Sequence, residues 1–115
     1  MNINTVEEFI QIADENRESL CLSDGSRIVY ANKLWLDSYK YTAPEIQGQT
    51  FKVLQGPSSD FNAVKSLMEA AESRKTFQGT LTNYTSDGIV VKDTVTVIPA
   101  LETHFIVKSS VKPFE

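Results

Sequence analysis

The sequence predicts an α+β fold: a five-stranded antiparallel sheet with its helices collected against one face. Three observations predict it. Two short strand patterns open the domain, and a block of apolar residues at helical spacing follows them. After Arg74-Lys75 the apolar period changes to two and stays there. Short turn signals, rather than long linkers, separate the last three strand patterns, as antiparallel neighbours require.

The elements follow in order. Thr5 and Glu8 have capping-box spacing, and Val6, Phe9, Ile10 and Ala13 make an apolar stripe, so residues 5–15 are expected to be a short helix. Leu20 and Leu22 alternate with Cys21. Ser23-Asp24-Gly25-Ser26 supplies a turn, and Arg27 to Ala31 completes a hairpin. Asn32 can cap a helix carrying Leu34, Trp35, Ser38 and Tyr39. Thr42 and Glu45 form a second capping box, with Pro44 in the first turn of a helix that stops by Gly48. Gly56-Pro57 punctuates the chain. Phe61, Val64, Leu67, Met68 and Ala71 then predict the longest helix, roughly 59–73, capped by Ser58 or Ser59.

The three remaining strands have readable faces. Phe77, Gly79, Leu81 and Asn83 share one. Ile89, Val91, Asp93, Val95 and Val97 share the next, after a tight turn at Ser86-Asp87-Gly88. Phe105, Val107, Ser109 and Val111 share the last, after a break at Pro99-Ala100-Leu101-Glu102. Residues 1–17 therefore read as a flanking helical segment, and 18–115 as one domain.

Composition narrows the function classes. The 115 residues suffice for one core, and 41 % apolar with 23 % charged content is a globular profile. Net charge is −4, and the eleven Lys and Arg are scattered, so nothing favours nucleic acid or an anionic membrane. No apolar run has membrane-span length. MNINTVEEFIQ lacks a secretory pattern, and Cys21 is the only cysteine, so a cytoplasmic protein without an internal disulfide is expected. No Ser-His-acid set, metal-ligand cluster or phosphate loop is visible, and His104 is the only histidine; an enzyme is not expected.

One exception to pattern stands out. Each of the last three strands carries one polar residue on its apolar face: Asn83, Asp93 and Ser109. A buried polar group is costly without a partner. The three could line a ligand pocket, or bond to one another in the core; a strand of the opposite register would turn them outward.

Several stretches together carry a resemblance. Ile28-Val29-Tyr30-Ala31-Asn32 leads into a helix, followed by Tyr39 to Gly48, then Leu54-Gln55-Gly56-Pro57 and Ser59-Asp60. Asn83-Tyr84, Asp87-Gly88 and His104-Phe105-Ile106 complete the set. From about Leu20 to Val111 the chain resembles a PAS domain, and within that superfamily a LOV domain, the flavin-binding blue-light sensor. The resemblance implies that Thr50, Phe51, Lys52, Gln55, Asn83, Asp93 and Ser109 stand at cofactor-binding positions.

The departures from that family matter. Phe51 matches the cysteine that bonds to the flavin, so no cysteinyl adduct can form there, and Cys21 lies elsewhere in the chain. Thr50 replaces an asparagine with a shorter group. Gln55 and Asn83 are retained. Asp93 replaces a second asparagine and, when ionised, offers only acceptors. Ser109 replaces the last strand's glutamine. At the phosphate end, Lys52 and Met68 match two arginines; lysine keeps a charge without the fork, and methionine keeps neither. Met68 is expected to pack in the core. Phe51 could fill the cavity from within, contact a ligand, or lie at the surface.

The expected function is a non-photochemical PAS/LOV-like sensory or signalling module. It would act through protein association, as a homodimer or with a partner domain. The core would hold no cofactor or, failing that, a small heterocyclic ligand. The alternative is a sensor of redox state or light that binds FMN or riboflavin and works without an adduct. The 5–15 helix would lie on the sheet or on a partner.

Overall fold

A computed structural model describes residues 3–114. Residues 1, 2 and 115, which fall inside the expected domain bounds, lie outside the described residues. Helix α1 (Val6–Glu15) precedes the hairpin of β1 (Ser19–Ser23) and β2 (Ile28–Ala31). Helices α2 (Lys33–Tyr39) and α3 (Ala43–Ile46), a 3-10 turn (Phe51–Leu54) and α4 (Phe61–Glu72) follow. Strands β3 (Phe77–Tyr84), β4 (Val90–Ala100) and β5 (His104–Pro113) close the chain. The strand order is β2-β1-β5-β4-β3, with every neighbouring pair antiparallel.

The caps explain most helix boundaries. Thr5 accepts from the Glu8 amide, while Glu8 reaches back to the Asn4 amide rather than to Thr5. Thr42 and Glu45 form the full capping box. The cap of α4 is Asp60, which accepts from the Asn62 and Ala63 amides, and not Ser58 or Ser59. Ser59 is held instead between the Gly56 amide and the Thr82 carbonyl, which pins the loop to β3. Pro99 does not break β4. It pairs with Phe105 beyond the last β3–β4 pair at Val97, so that side of the strand needs no proline N–H.

The sheet is covered on both faces, which is why Leu20, Cys21 and Leu22 are all buried in succession. One face carries Cys21, Val91, Val95, Val97, Phe105 and Val107, packed against Trp35, Tyr39, Ile46 and Leu54 from the helical block. The other carries Leu20, Leu22 and Ile106 beneath Phe9 and Ala13 of α1. The apolar side of α1 is therefore laid on its own sheet.

The α4 stripe is narrower than the sequence suggests. Val64, Leu67 and Ala71 are half-buried, but no α4 residue is fully buried. Met68 is 56 % exposed, which corrects the expectation that it packs in the core. It follows Leu67 by one residue, a turn of about 100° that carries it off the stripe.

Candidate ligand site

The strand registers set the site. Asn83 pairs with Val91, and Asp93 pairs with both Leu81 and Val111, so the apolar faces read from the sequence coincide on one side of the sheet. Asp93 is 2 % exposed and Asn83 6 %; Ser109 is half-buried. These three do meet, but around a fourth residue. The Tyr39 hydroxyl donates to Asp93 Oδ2 at 2.6 Å and accepts from Asn83 Nδ2 at 3.0 Å. Ser109 donates to the same Asp93 oxygen at 2.9 Å. No well-formed hydrogen bond reaches Asp93 Oδ1, although the Ser110 amide lies near enough to act on the carboxylate.

Tyr39 is fixed from several sides. It is the last residue of α2, and its ring lies 4.8 Å from that of Trp35, one turn earlier. Its carbonyl accepts from the Ser86 amide in the β3–β4 turn, and Lys40 ends the helix in the left-handed region at φ 62°. Both rings are buried in the main core.

The electrostatics follow from burial. Desolvation pushes the Asp93 carboxyl above the ordinary carboxylate range, against the opposing bonds from Tyr39 and Ser109 and the nearby Ser110 amide. Burial also pushes the Tyr39 phenol well up, and the neighbouring Asp93 charge adds to the effect. The Cys21 thiol is raised by burial first and by Asp93 second. It is therefore an unreactive core thiol in β1.

The side chains of the remaining sequence-predicted site residues make no hydrogen bond to this set. Thr50 precedes the 3-10 turn without a side-chain capping bond, and Phe51 is the first residue of that turn, half-buried against the main core. Lys52 is exposed, and Gln55 is half-buried at the turn's end. Tyr39 is the residue that meets Asn83 and Asp93, and Trp35 packs against Tyr39. Sequence reasoning placed those two on a helix but gave them no part in the site. The signal was available: Trp35 and Tyr39 stand four apart on one helix face, and a buried phenol needs a polar partner.

Asn83 and Asp93, which the resemblance sets at the polar edge of a flavin ring, are both bonded to Tyr39 here. Two surface clefts flank the free end of β5, and neither is lined by Tyr39, Asn83 or Asp93. Among the described residues no group of three or more His, Cys, Asp or Glu could hold a metal ion, and no helix is long and apolar enough to cross a membrane.

Known proteins share this fold. The LOV domain of a blue-light activated histidine kinase from Erythrobacter litoralis superposes with a TM-score of 0.80 at 20 % identity, over 86 % of this chain and 99 % of that one. In sequence, the chain is 29 % identical over 103 residues to blue-light-activated histidine kinase 1 of Erythrobacter litoralis, covering 86 % of this chain and 29 % of that protein. It is 30 % identical over 87 residues to phototropin-2 of Oryza sativa subsp. japonica, covering 72 % of this chain and 10 % of that protein. The chain thus spans less than a third of either curated relative. No family model matches it. The protein has the PAS/LOV fold. Its only cysteine, Cys21, is buried in β1 and is not at the flavin-adduct position.

Proposed function

We propose that the chain is a sensory module of PAS/LOV type that signals through protein association and forms no cysteinyl adduct. The observation that supports this reading is the buried bond between Tyr39 and Asp93, which gives the core polar groups Asn83, Asp93 and Ser109 partners within the chain. Phe51 supports it, because a phenyl ring offers no nucleophile. The partner would be a second copy or another protein domain. Native mass spectrometry of freshly purified protein tests the reading: the expected species is the bare polypeptide, alone or as a dimer. A bound mass equal to FMN or riboflavin, with the visible absorption of a flavin, would refute it.

A second reading is favoured by the names of the relatives, which include a blue-light-activated kinase. In it, the module binds FMN or riboflavin and senses light or redox state without an adduct. Bound flavin would supply a chromophore and an electron acceptor. Gln55 and Asn83 offer amides to such a group, and exposed Lys52 offers one cation to a phosphate. This reading requires Tyr39 to leave Asp93 and Asn83.

A further inference from the structure

We infer that the last stretch of β5, Ser110–Pro113, is a docking edge for an extended segment of a partner protein: a short strand with an apolar residue opposite Val111 and a carboxylate on each side of it. The inference rests on the proposed reading of signalling through protein association and deepens it, since it names the surface and the chemistry of the partner.

The register leaves this edge open. β5 pairs with β1 only as far as Ser109, opposite Ser19, whereas its pairing with β4 runs on to Pro113. Before Ser19 the chain bonds elsewhere: the Glu18 amide donates to Asn16 Oδ1, and the Glu18 carbonyl accepts from Asn32. Alternation then gives the direction of the free groups. The Leu20 carbonyl accepts from the Asn32 amide on the β2 side, so the backbones of Ser19 and Cys21 face β5, toward Ser109 and Val107. Two residues past Ser109, Val111 turns its N–H and C=O to that same side, where no strand among the described residues meets them. Pro113 faces it too, and its missing N–H takes no bond from the β4 ladder. Such bare groups bind an added strand, and pockets for its alternate side chains select which one.

The surroundings select the strand. Two clefts meet at this edge and share Ser38: one is lined by Leu34, Ser109 and Ser110, the other by Ile89, Val111 and Phe114. Leu34, Ile89 and Phe114 are three of the five exposed large hydrophobic residues among those described. A residue opposite Val111 points to the α2 side of the sheet, as Val111 does, and an apolar one suits it there. Its two neighbours point to the other face, beside Ser110 and Lys112. On that face Lys92 stands directly opposite Lys112, and among the described residues no carboxylate bridges either. Glu18 and Asp87, at the rims, are already bridged to Lys108 and Lys40. Two like charges side by side repel each other, and an incoming carboxylate relieves them.

The capped pentapeptide Thr-Glu-Val-Glu-Thr tests this by NMR titration of the whole chain. The Val111 amide should exchange its hydrogen fast in the free protein and at least tenfold more slowly at peptide saturation. The Val107 amide, already facing β1, should not change. Lys92→Glu combined with Lys112→Glu should weaken the peptide at least tenfold and instead take the peptide in which both Glu are Lys. N-methylation of the peptide valine removes the N–H that the Val111 carbonyl would accept, and should abolish binding. The inference fails if the parent peptide does not bind, or if it binds without slowing Val111 exchange. It also fails if the N-methylated peptide binds equally well, or if the charge-reversed protein keeps its affinity for the acidic one. A Val111 amide already protected without peptide overturns it as well; protection that rises with protein concentration would give the edge to a second copy. Flavin in the purified protein would instead refute the proposed function.

Discussion

Two buried polar side chains, Asn32 and Asp93, are each 2 % exposed and have opposite fates. Asn32 is saturated. Its Oδ1 accepts from the Leu20 and Trp35 amides, and its Nδ2 donates to the Ala13 and Glu18 carbonyls. One side chain thereby joins the end of α1, the start of β1 and the start of α2. Asp93 has one oxygen doubly engaged, while the other has at most the nearby Ser110 amide. A neutral amide whose bonds are all made is architecture. An acid that burial disfavours, with bonding capacity left over, is where the same core can respond to protons or to another molecule.

Four substitutions break or sharpen that contrast. Asn32→Ala should have the largest effect. It removes the side-chain partner of two N–H groups and of the Glu18 carbonyl at once, while the Ala13 carbonyl keeps the Asn16 amide, and should lose about 3–5 kcal/mol in denaturant unfolding. Asp93→Asn should act in the opposite direction, gaining on the order of 1 kcal/mol at pH 8, because the amide oxygen can accept both hydroxyl bonds without a buried charge. The pH dependence has a definite sign. A folded-state pKa raised above the unfolded one means that the folded protein holds the proton more tightly. The stability contributed by Asp93 is thus fully present below its unfolded pKa of about 4 and is lost as pH rises through the raised value. Melting curves between pH 4 and 8 should show that loss in wild type and not in Asp93→Asn. An identical slope in both would remove Asp93 from the role given to it here.

Ser109→Ala should cost about 1 kcal/mol at neutral pH and extend the sloping part of the wild-type curve to higher pH, since one donor to the carboxylate is gone. Met68→Arg should be the smallest change, within about 0.5 kcal/mol, because the side chain is exposed.

The sequence made the faces of β3, β4 and β5 legible, because a period of two allows only two registers and one of them buries lysine and threonine. It made the caps at Thr5, Asn32 and Thr42 legible for a similar reason: the spacing is local. What it hid is long-range. The capping role of Asn32 could be read, while its bonds to Ala13, Glu18 and Leu20 required the fold. The meeting of Asn83, Asp93 and Ser109 was visible as three exceptions on three faces. Their shared partner was not, since Tyr39 lies on a helix 44 residues before the nearest of them. Met68 misled because a stripe of five apolar residues looks the same whether the helix lies flat on the sheet or touches it along one edge.

Helix α2 gives the contrast between Asn32 and Asp93 a mechanical meaning. Asn32 caps its first turn and Tyr39 ends it, so the two centres stand at opposite ends of one seven-residue rod about 10 Å long. A short α-helix is stiff against bending, and this one is pinned at one end to the last turn of α1 by the Asn32–Ala13 bond. Whatever draws Tyr39 away from Asp93 therefore works a lever whose far arm is fastened to the element on the other face of the sheet.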